Sequence, residues 1–264
     1  MALPPPSPDS TCVVTGASSG IGTELARELV KRGYGVTLVA RREDRLRALA
    51  AELGAGAEVH ACDVTDANAR KGLADALEAR GTSVAIVVNN AGFSTSGPLT
   101  RGDRERELDM VRTNVEAVVD FCALFAPAMA DRGSGGILNV ASTASFQPIP
   151  MQAGYAATKA FVLSFTESLH AELAGSGVNV TALCPGPVKT EFVDVAEIPD
   201  ADRMPGFMWA KPGEVAEAGV KALERGKRVV IPGVLNRAGA IGGQHAPRSL
   251  YLRVASRVHP AGRK

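Results

Sequence analysis

The stretch at 11–22 constrains this chain most. A short β-branched run, Thr11, Cys12, Val13, Val14 and Thr15, passes straight into Gly16, Ala17, Ser18, Ser19, Gly20, Ile21 and Gly22, and then into an amphipathic helical pattern. Gly16 permits a tight turn, Gly20 lets the backbone approach a pyrophosphate, and Gly22 lets helix and strand pack closely. The helix N-terminus offers its unpaired N–H groups to phosphate oxygens. The glycine spacing differs from GxGxxG, so the loop is read from its place after a strand near the N-terminus rather than from a pattern match.

The rest of the chain repeats this alternation. Candidate strands lie at 11–15, 35–40, 58–61, 84–89, 136–142, 178–184 and 228–231, with helical patterns at 20–32, 42–53, 67–80, 104–131, 153–174 and 211–225. Parallel strands need long crossovers, and helices supply them. The expected fold is therefore α/β: a single-domain, Rossmann-type, doubly wound parallel sheet of about seven strands with helices on both faces, spanning 11–232. Residues 1–10 read as a flexible lead and 233–264 as a basic tail.

With 264 residues and a formal net charge of +1, no global field recruits nucleic acid. Cys12, Cys62, Cys122 and Cys184 lie in or beside apolar runs and read as reduced core thiols, with no metal-ligand spacing. The N-terminal decapeptide has neither a basic n-region nor an apolar h-region, and no run approaches about 18 consecutive apolar residues, so the expected location is cytoplasmic.

A dinucleotide-binding unit usually carries a carboxylate at the end of its second strand, for the adenine ribose. This chain has Arg41 and Arg42 there. Guanidinium groups clamp a 2′-phosphate, which a carboxylate would repel, so NADP is favoured over NAD, with Ser18 of the glycine loop contacting the same region. The alternative is that both arginines pair with the neighbouring Glu43 and Asp44.

Ser142, Tyr155 and Lys159 supply chemistry. On a helix, Tyr155 and Lys159 at i and i+4 share a face one turn apart. A free phenol titrates near pH 10, and a fixed ammonium beside it favours the phenolate; a drop of about three units corresponds to roughly 4 kcal/mol. Ser142 can donate to the same substrate oxygen that Tyr155 protonates or deprotonates. The three make an acid/base site for a carbonyl and its alcohol.

Taken together, the loop at 15–22, the run Asn89, Asn90, Ala91, Gly92, the residues Asn114, Ser142, Tyr155 and Lys159, and the run Pro185, Gly186, Pro187, Val188, Lys189, Thr190 occur in an order that resembles the short-chain dehydrogenase/reductases, in the subgroup with a TGxxxGIG loop and YxxxK. The likeness runs from 11 to about 231. It implies Tyr155 as general acid/base, Ser142 orienting the carbonyl, and Lys159 lowering the Tyr155 pKa and binding the nicotinamide ribose. It implies that Asn114 holds a water in a proton relay and that Asp63 with Val64 contacts the adenine. Asn90, beside Ala91 and Gly92, would steady the sheet and the cofactor loop. Pro185 and Gly186 would shape a turn from which the Val188 backbone and the Thr190 hydroxyl bind the carboxamide. Ser19 and Ile21 fall within the phosphate loop. The family often forms homodimers or homotetramers through the helices near 104–131 and 153–174.

Between 191 and 211 the pattern becomes apolar and breaker-rich, with Phe192, Val193, Ile198, Pro199, Met204, Pro205, Phe207, Met208 and Trp209, and reads as a substrate lid. With Phe93, Ser94, Phe146, Gln147 and Met151 it would enclose a largely hydrophobic pocket for a bulky apolar carbonyl or secondary alcohol. In the tail, 247–258 reads as a short basic amphipathic helix that either touches an anionic membrane surface or packs across the domain or a subunit interface; liposome binding lost on removing 247–264 would identify the first. His245 and His259 have no metal-ligand company there. Two function classes stand: an NADP-dependent oxidoreductase, and a non-catalytic dinucleotide-binding sensor. The intact acid/base set favours the enzyme, since binding alone needs no such group.

Overall fold

The computed structural model describes residues 3–196 and 206–258. Its seven strands are β1 (Ser10–Thr15), β2 (Val36–Ala40), β3 (Ala57–Ala61), β4 (Ser83–Asn89), β5 (Gly135–Val140), β6 (Val178–Leu183) and β7 (Val229–Val230). They form one parallel sheet in the order β3-β2-β1-β4-β5-β6-β7. The order reverses between β1 and β4, and a crevice opens there at the carboxyl ends of the strands.

Strands buried on both faces read as continuous apolar runs, and β1 shows why. Cys12 and Val14 join one core with Leu25 and Leu29 of α1 (Gly20–Lys31), Leu46 of α2 (Glu43–Leu53), and Val215 and Val220 of α8 (Pro212–Glu224). Val13 points the other way, among Leu73 and Leu77 of α3 (Ala67–Ala79) and Phe121, Phe125 and Met129 of α5 (Ala117–Asp131). Next to α5 on that face, α6 (Ala153–Glu172) packs Val162 and Leu163 against Val118 and Ala182. The stretch Arg104–Asp131 is long and apolar enough to cross a membrane, yet α5 lies on β4 and β5 with Phe121 and Met129 buried. All four cysteines are buried and unpaired.

Three local readings change. The helix expected at 104–131 is α4 (Arg104–Val111), a π-helical turn at Arg112–Glu116, and α5; the widened turn carries Asn114. The lead expected to be loose is docked over residues 3–9. Leu3 enters the space above Gly136, where a Cβ would lie 2.9 Å from it, and the Tyr34 hydroxyl donates to the Pro4 carbonyl at 2.8 Å. In the tail, the expected helix is present as α10 (Arg248–Val258), preceded by a second, unexpected helix, α9 (Val234–His245). The inner side of α9 faces the turn Thr143–Phe146, where a Cβ on Gly243 would meet the Gln147 side chain at 1.8 Å and one on Gly186 would meet Asn236 at 2.4 Å. Part of the tail thus folds back onto the loops that carry Ser142 and the Pro185 turn, while Leu252 and Val254 of α10 remain exposed.

Candidate active site

The glycine loop forms as its composition demands. Gly16 and Gly20 both adopt left-handed backbone, with φ of 65° and 59°. A Cβ on Gly22 would lie 2.2 Å from the Gly16 carbonyl oxygen and 2.5 Å from Asn90 Nδ2, and one on Gly16 would lie 2.8 Å from Ala91 Cα. Asn90 Nδ2 donates to the carbonyls of Thr15 at 2.9 Å and Gly16 at 3.3 Å, and the Asn90 and Ala91 N–H groups both donate to Thr15 Oγ1 at 3.0 Å. The end of β4 therefore clamps the loop that leaves β1.

One cavity of about 960 Å³ runs from this loop to Tyr155. Its near end is lined by Gly16, Ser18, Ser19, Gly20, Ile21, Arg41, Arg42, Asp63 and Val64, and its middle by Asn90, Ala91 and Gly92. Ser142, Tyr155, Lys159, Pro185, Gly186, Val188 and Thr190 line the far end. Two expected site residues stand behind the wall. Gly22 is buried beneath the loop, and Asn114 lies behind Gly92, where a Cβ would be 2.9 Å from Asn114 Oδ1 and 3.4 Å from Lys159 Nζ. Asn114 accepts from the Phe93 N–H at 3.1 Å and donates to the Phe93 carbonyl at 3.0 Å and to Thr158 Oγ1 at 3.1 Å.

At the far end, Ser142 is the extended last residue before a tight turn; its Oγ accepts from the Ala144 N–H at 3.1 Å, and its own N–H donates to Ser145 Oγ at 3.3 Å. Tyr155 and Lys159 sit on consecutive turns of α6, with Nζ 6.0 Å from the tyrosine ring centre, and Nζ donates to the Val140 carbonyl at 2.8 Å. Phe192 covers the Tyr155 ring at 5.6 Å. Asp63 accepts from both the N–H and hydroxyl of Thr65, at 3.0 and 2.8 Å; the cap of α3 is Asp66. Arg70 is buried beneath, donating to the Val64 carbonyl at 2.7 Å and pairing with Glu116 and Asp120. It fixes the Asp63–Val64 corner from behind, a role that no local pattern announces.

The titration of the pair departs from expectation. Burial pushes the Tyr155 hydroxyl up to about 12, with Ser142 pulling the other way, and burial brings Lys159 down from 10.5 to about 8. Desolvation of the phenolate thus outweighs any attraction to the ammonium. Between about pH 8 and 10 the unfolded chain keeps a proton on Lys159 that the folded chain has released, so stability rises with pH across that window. Lys159→Met removes this gain. Denaturant unfolding at the two ends of the window should show the wild type gaining on the variant as pH rises; parallel changes would contradict the depressed value.

The pocket wall also differs from the expected set. Phe93 and Gln147 line it, but Phe146 packs into the core with Val162, Ser94 is buried and accepts from Gln152 Nε2 at 3.0 Å, and Met151 starts the turn into α6 with φ of 69°. Ile149 and Gln152 take their places, beside Phe192, Val193 and Trp209 of the expected lid. α4 contributes a polar rim of Asp103, Glu105, Arg106 and Asp109. Arg106 lies 5.8 Å over the Phe93 ring and donates to the Val195 carbonyl, joining the rim to α7 (Glu191–Val195). The pocket is apolar inside and charged at its mouth. Of the expected lid, the segment after 206 meets the Pro185 turn, just before α7, through a parallel bridge between Val188 and Ala210; Ile198, Pro199, Met204 and Pro205, like His259 of the tail, lie outside the described residues.

The model of the short chain dehydrogenase family matches residues 10–198. A Streptomyces coelicolor protein provisionally named a ketoacyl reductase is 36% identical over 250 residues, covering 87% of this chain and 96% of the relative. Among solved structures, a single-site variant of actinorhodin polyketide ketoreductase with NADPH superposes with a TM-score of 0.79 at 33% identity, covering 91% of this chain and 100% of the other. The 3-ketoacyl-(acyl-carrier-protein) reductase of Brucella melitensis, complexed with NADH, superposes with a TM-score of 0.77 at 29% identity, covering 85% and 97%.

Proposed function

The chain belongs to the short-chain dehydrogenases, oxidoreductases that use a dinucleotide, and on that premise we propose that it interconverts a carbonyl and a secondary alcohol on a bulky, largely apolar small molecule, with NADP(H) preferred. One observation carries this reading: the glycine loop, Arg42, and the set of Ser142, Tyr155 and Lys159 open onto a single cavity. A dinucleotide laid along this cavity from the glycine loop would bring its nicotinamide beside Tyr155.

The residues fit the cofactor. No Cβ has room at Gly16 or Gly22, and the space so kept lies at the N-terminus of α1, where Ser18, Ser19, Gly20 and Ile21 offer donors to phosphate oxygens. Arg42, with Ser18, would hold the 2′-phosphate; Asp63 and Val64 would hold the adenine; Lys159 the nicotinamide ribose; and Val188 with Thr190 the carboxamide. When bound, the nicotinamide supplies or accepts hydride.

The chain's own part is proton handling and exclusion of water. Ser142 donates to the substrate oxygen and fixes its distance from Tyr155, whose hydroxyl carries the proton. With that hydroxyl pushed up to about 12, Tyr155 holds its proton at neutral pH, so the resting site starts as an acid, ready for carbonyl reduction. Lys159, brought down to about 8, lies close enough to neutrality to exchange a proton, and Asn114, behind Gly92, would order the water that connects it to solvent. Phe192 over the Tyr155 ring keeps bulk water from the pair. The names of the relatives point to ketones on carbon chains, which the wall of Phe93, Ile149, Phe192 and Trp209 would accommodate.

NADPH consumption by the purified chain, followed over a panel of bulky ketones, ketoacyl thioesters and sugars, tests the reading. Turnover of the apolar ketones or ketoacyl compounds ahead of the sugars is expected. A chain that binds NADPH but turns over no carbonyl, and oxidises no secondary alcohol with NADP, would contradict it.

A further inference from the structure

Arg42 is already shared across the cofactor groove. On one lip its Nε and Nη2 donate to Ser18 Oγ at 3.2 and 3.0 Å, and Nη2 donates to Ser19 Oγ at 2.9 Å. From the other lip Glu191, the first residue of α7, accepts from Arg42 Nη1 at 2.8 Å and also pairs with Arg45. The lips meet beside this link, since a Cβ on Gly20 would lie 3.1 Å from Thr190 Cβ. Arg41 is turned elsewhere, 3.9 Å from Asp63. The anion-reading edge of Arg42, the Nε and Nη2 side, thus faces the phosphate loop, while its other side is held by a carboxylate of this chain.

We propose that Glu191 is a specificity-determining residue: an internal carboxylate at the 2′-phosphate subsite that satisfies Arg42 when the bound nucleotide brings no phosphate, and so limits the preference for NADP(H) over NAD(H). The inference rests on the dinucleotide-dependent reading above. Arg42 and Arg45 carry two positive charges and Glu191 one negative, so the cluster presents a single net charge to an incoming anion. NAD(H) places only a neutral hydroxyl at the Nε edge, and the Arg42–Glu191 pair persists beside it without loss. The 2′-phosphate of NADP(H) gains Arg42 but sets its own charge near that of Glu191, and like charges at this separation repel. Glu191 is ionised throughout the neutral range, because its two arginine partners hold its carboxyl down to about 2. Arg45 draws part of the carboxylate away from Arg42, so its loss should act in the opposite direction to the loss of Glu191.

Dissociation constants for NADPH and NADH, measured by fluorescence titration at low and high salt for the wild type, Glu191→Gln and Arg45→Ala, test this. Glu191→Gln keeps the shape and one acceptor while removing the charge. It should tighten NADPH roughly three- to tenfold at low salt, with the gain shrinking as salt is added, and leave NADH nearly unchanged. Arg45→Ala should narrow the NADPH preference. An unchanged ratio in Glu191→Gln, or weaker NADPH binding, would overturn the proposal and leave Glu191 as a support for Arg42. Binding of neither nucleotide by the wild type would overturn the dinucleotide reading and this inference with it. Both side chains are close to half exposed, 41% for Arg42 and 42% for Glu191, so matched thermal melts are expected for the variants.

Discussion

Tyr155→Phe should lower turnover by at least about a hundredfold while leaving the dissociation constant for NADPH within about twofold. The change removes one oxygen and little else. The ring keeps its contact with Phe192, and the backbone carbonyl of residue 155 still accepts from Thr158 Oγ1 at 2.7 Å. The cofactor-binding loop lies at the other end of the cavity and is clamped by Asn90 and Thr15, so nothing there depends on the phenol. What goes is the proton carried beside Ser142. A general acid placed in hydrogen-bond reach of the reacting oxygen contributes about 10²–10⁴ in rate, and the variant should lose that factor in kcat rather than in KM. Removing a buried hydroxyl also relieves a desolvation cost, so the variant should be no less stable to heat than the wild type. Equal turnover in the variant would assign the proton to another group.

Gly22→Ala should sharply weaken dinucleotide binding and destabilise the fold. The added methyl would stand 2.2 Å from the Gly16 carbonyl oxygen and 2.5 Å from Asn90 Nδ2. Neither neighbour can step aside alone. Gly16 is itself pressed on Ala91, at 2.8 Å from where its own Cβ would be, and the Asn90 amide is bonded to the Thr15 and Gly16 carbonyls. Relief therefore needs the whole loop to lift from the end of β4, which spoils the approach of its N–H groups to phosphate. Overpacking of this kind costs about 1–3 kcal/mol, and affinity for NADPH should fall by about a hundredfold or more. Gly72→Ala is the matched control. Gly72 lies within α3 with nothing inside 4 Å of an added Cβ, and the same methyl there should stabilise by about 0.5–1 kcal/mol. Calorimetric titration with NADPH, and thermal melts of both variants, check the pair; full affinity in Gly22→Ala would show that the loop yields.

The parts of this molecule that sequence discloses are those set by local demands. A left-handed turn needs glycine at 16 and 20, strands buried on both faces need runs such as 84–89, and a helix places Tyr155 one turn from Lys159. These fix the sheet and bring every expected catalytic and cofactor-binding residue to the cavity or just behind its wall. What stays hidden depends on partners distant in the chain. Leu3 docks because Gly136 leaves room, α9 forms on a glycine-rich segment because Gly243 admits Gln147, and Arg70 is buried because Glu116 and Asp120 meet it from α5 and the turn before it. The π turn at Arg112–Glu116 has no sequence motif of its own, since one extra residue only offsets the phase between two helical patterns that each keep their own period. The upward position of Tyr155 belongs to the same class. Spacing reveals the neighbouring ammonium, whereas desolvation is a property of the closed cavity. Arg41 and Arg42 look equivalent as neighbours in sequence, and only the fold separates them: Arg42 faces the phosphate loop and Glu191, and Arg41 faces Asp63.

The most direct test follows the reducing equivalent and the proton together. The wild type is supplied with NADPH deuterated at the reactive nicotinamide carbon and a bulky ketone, and the product alcohol is weighed, with Tyr155→Phe alongside. The account predicts one deuterium on the carbinol carbon from the wild type and almost no alcohol from Tyr155→Phe, although both proteins bind the nucleotide. Alcohol without deuterium, or labelled alcohol formed equally well by the variant, would contradict it.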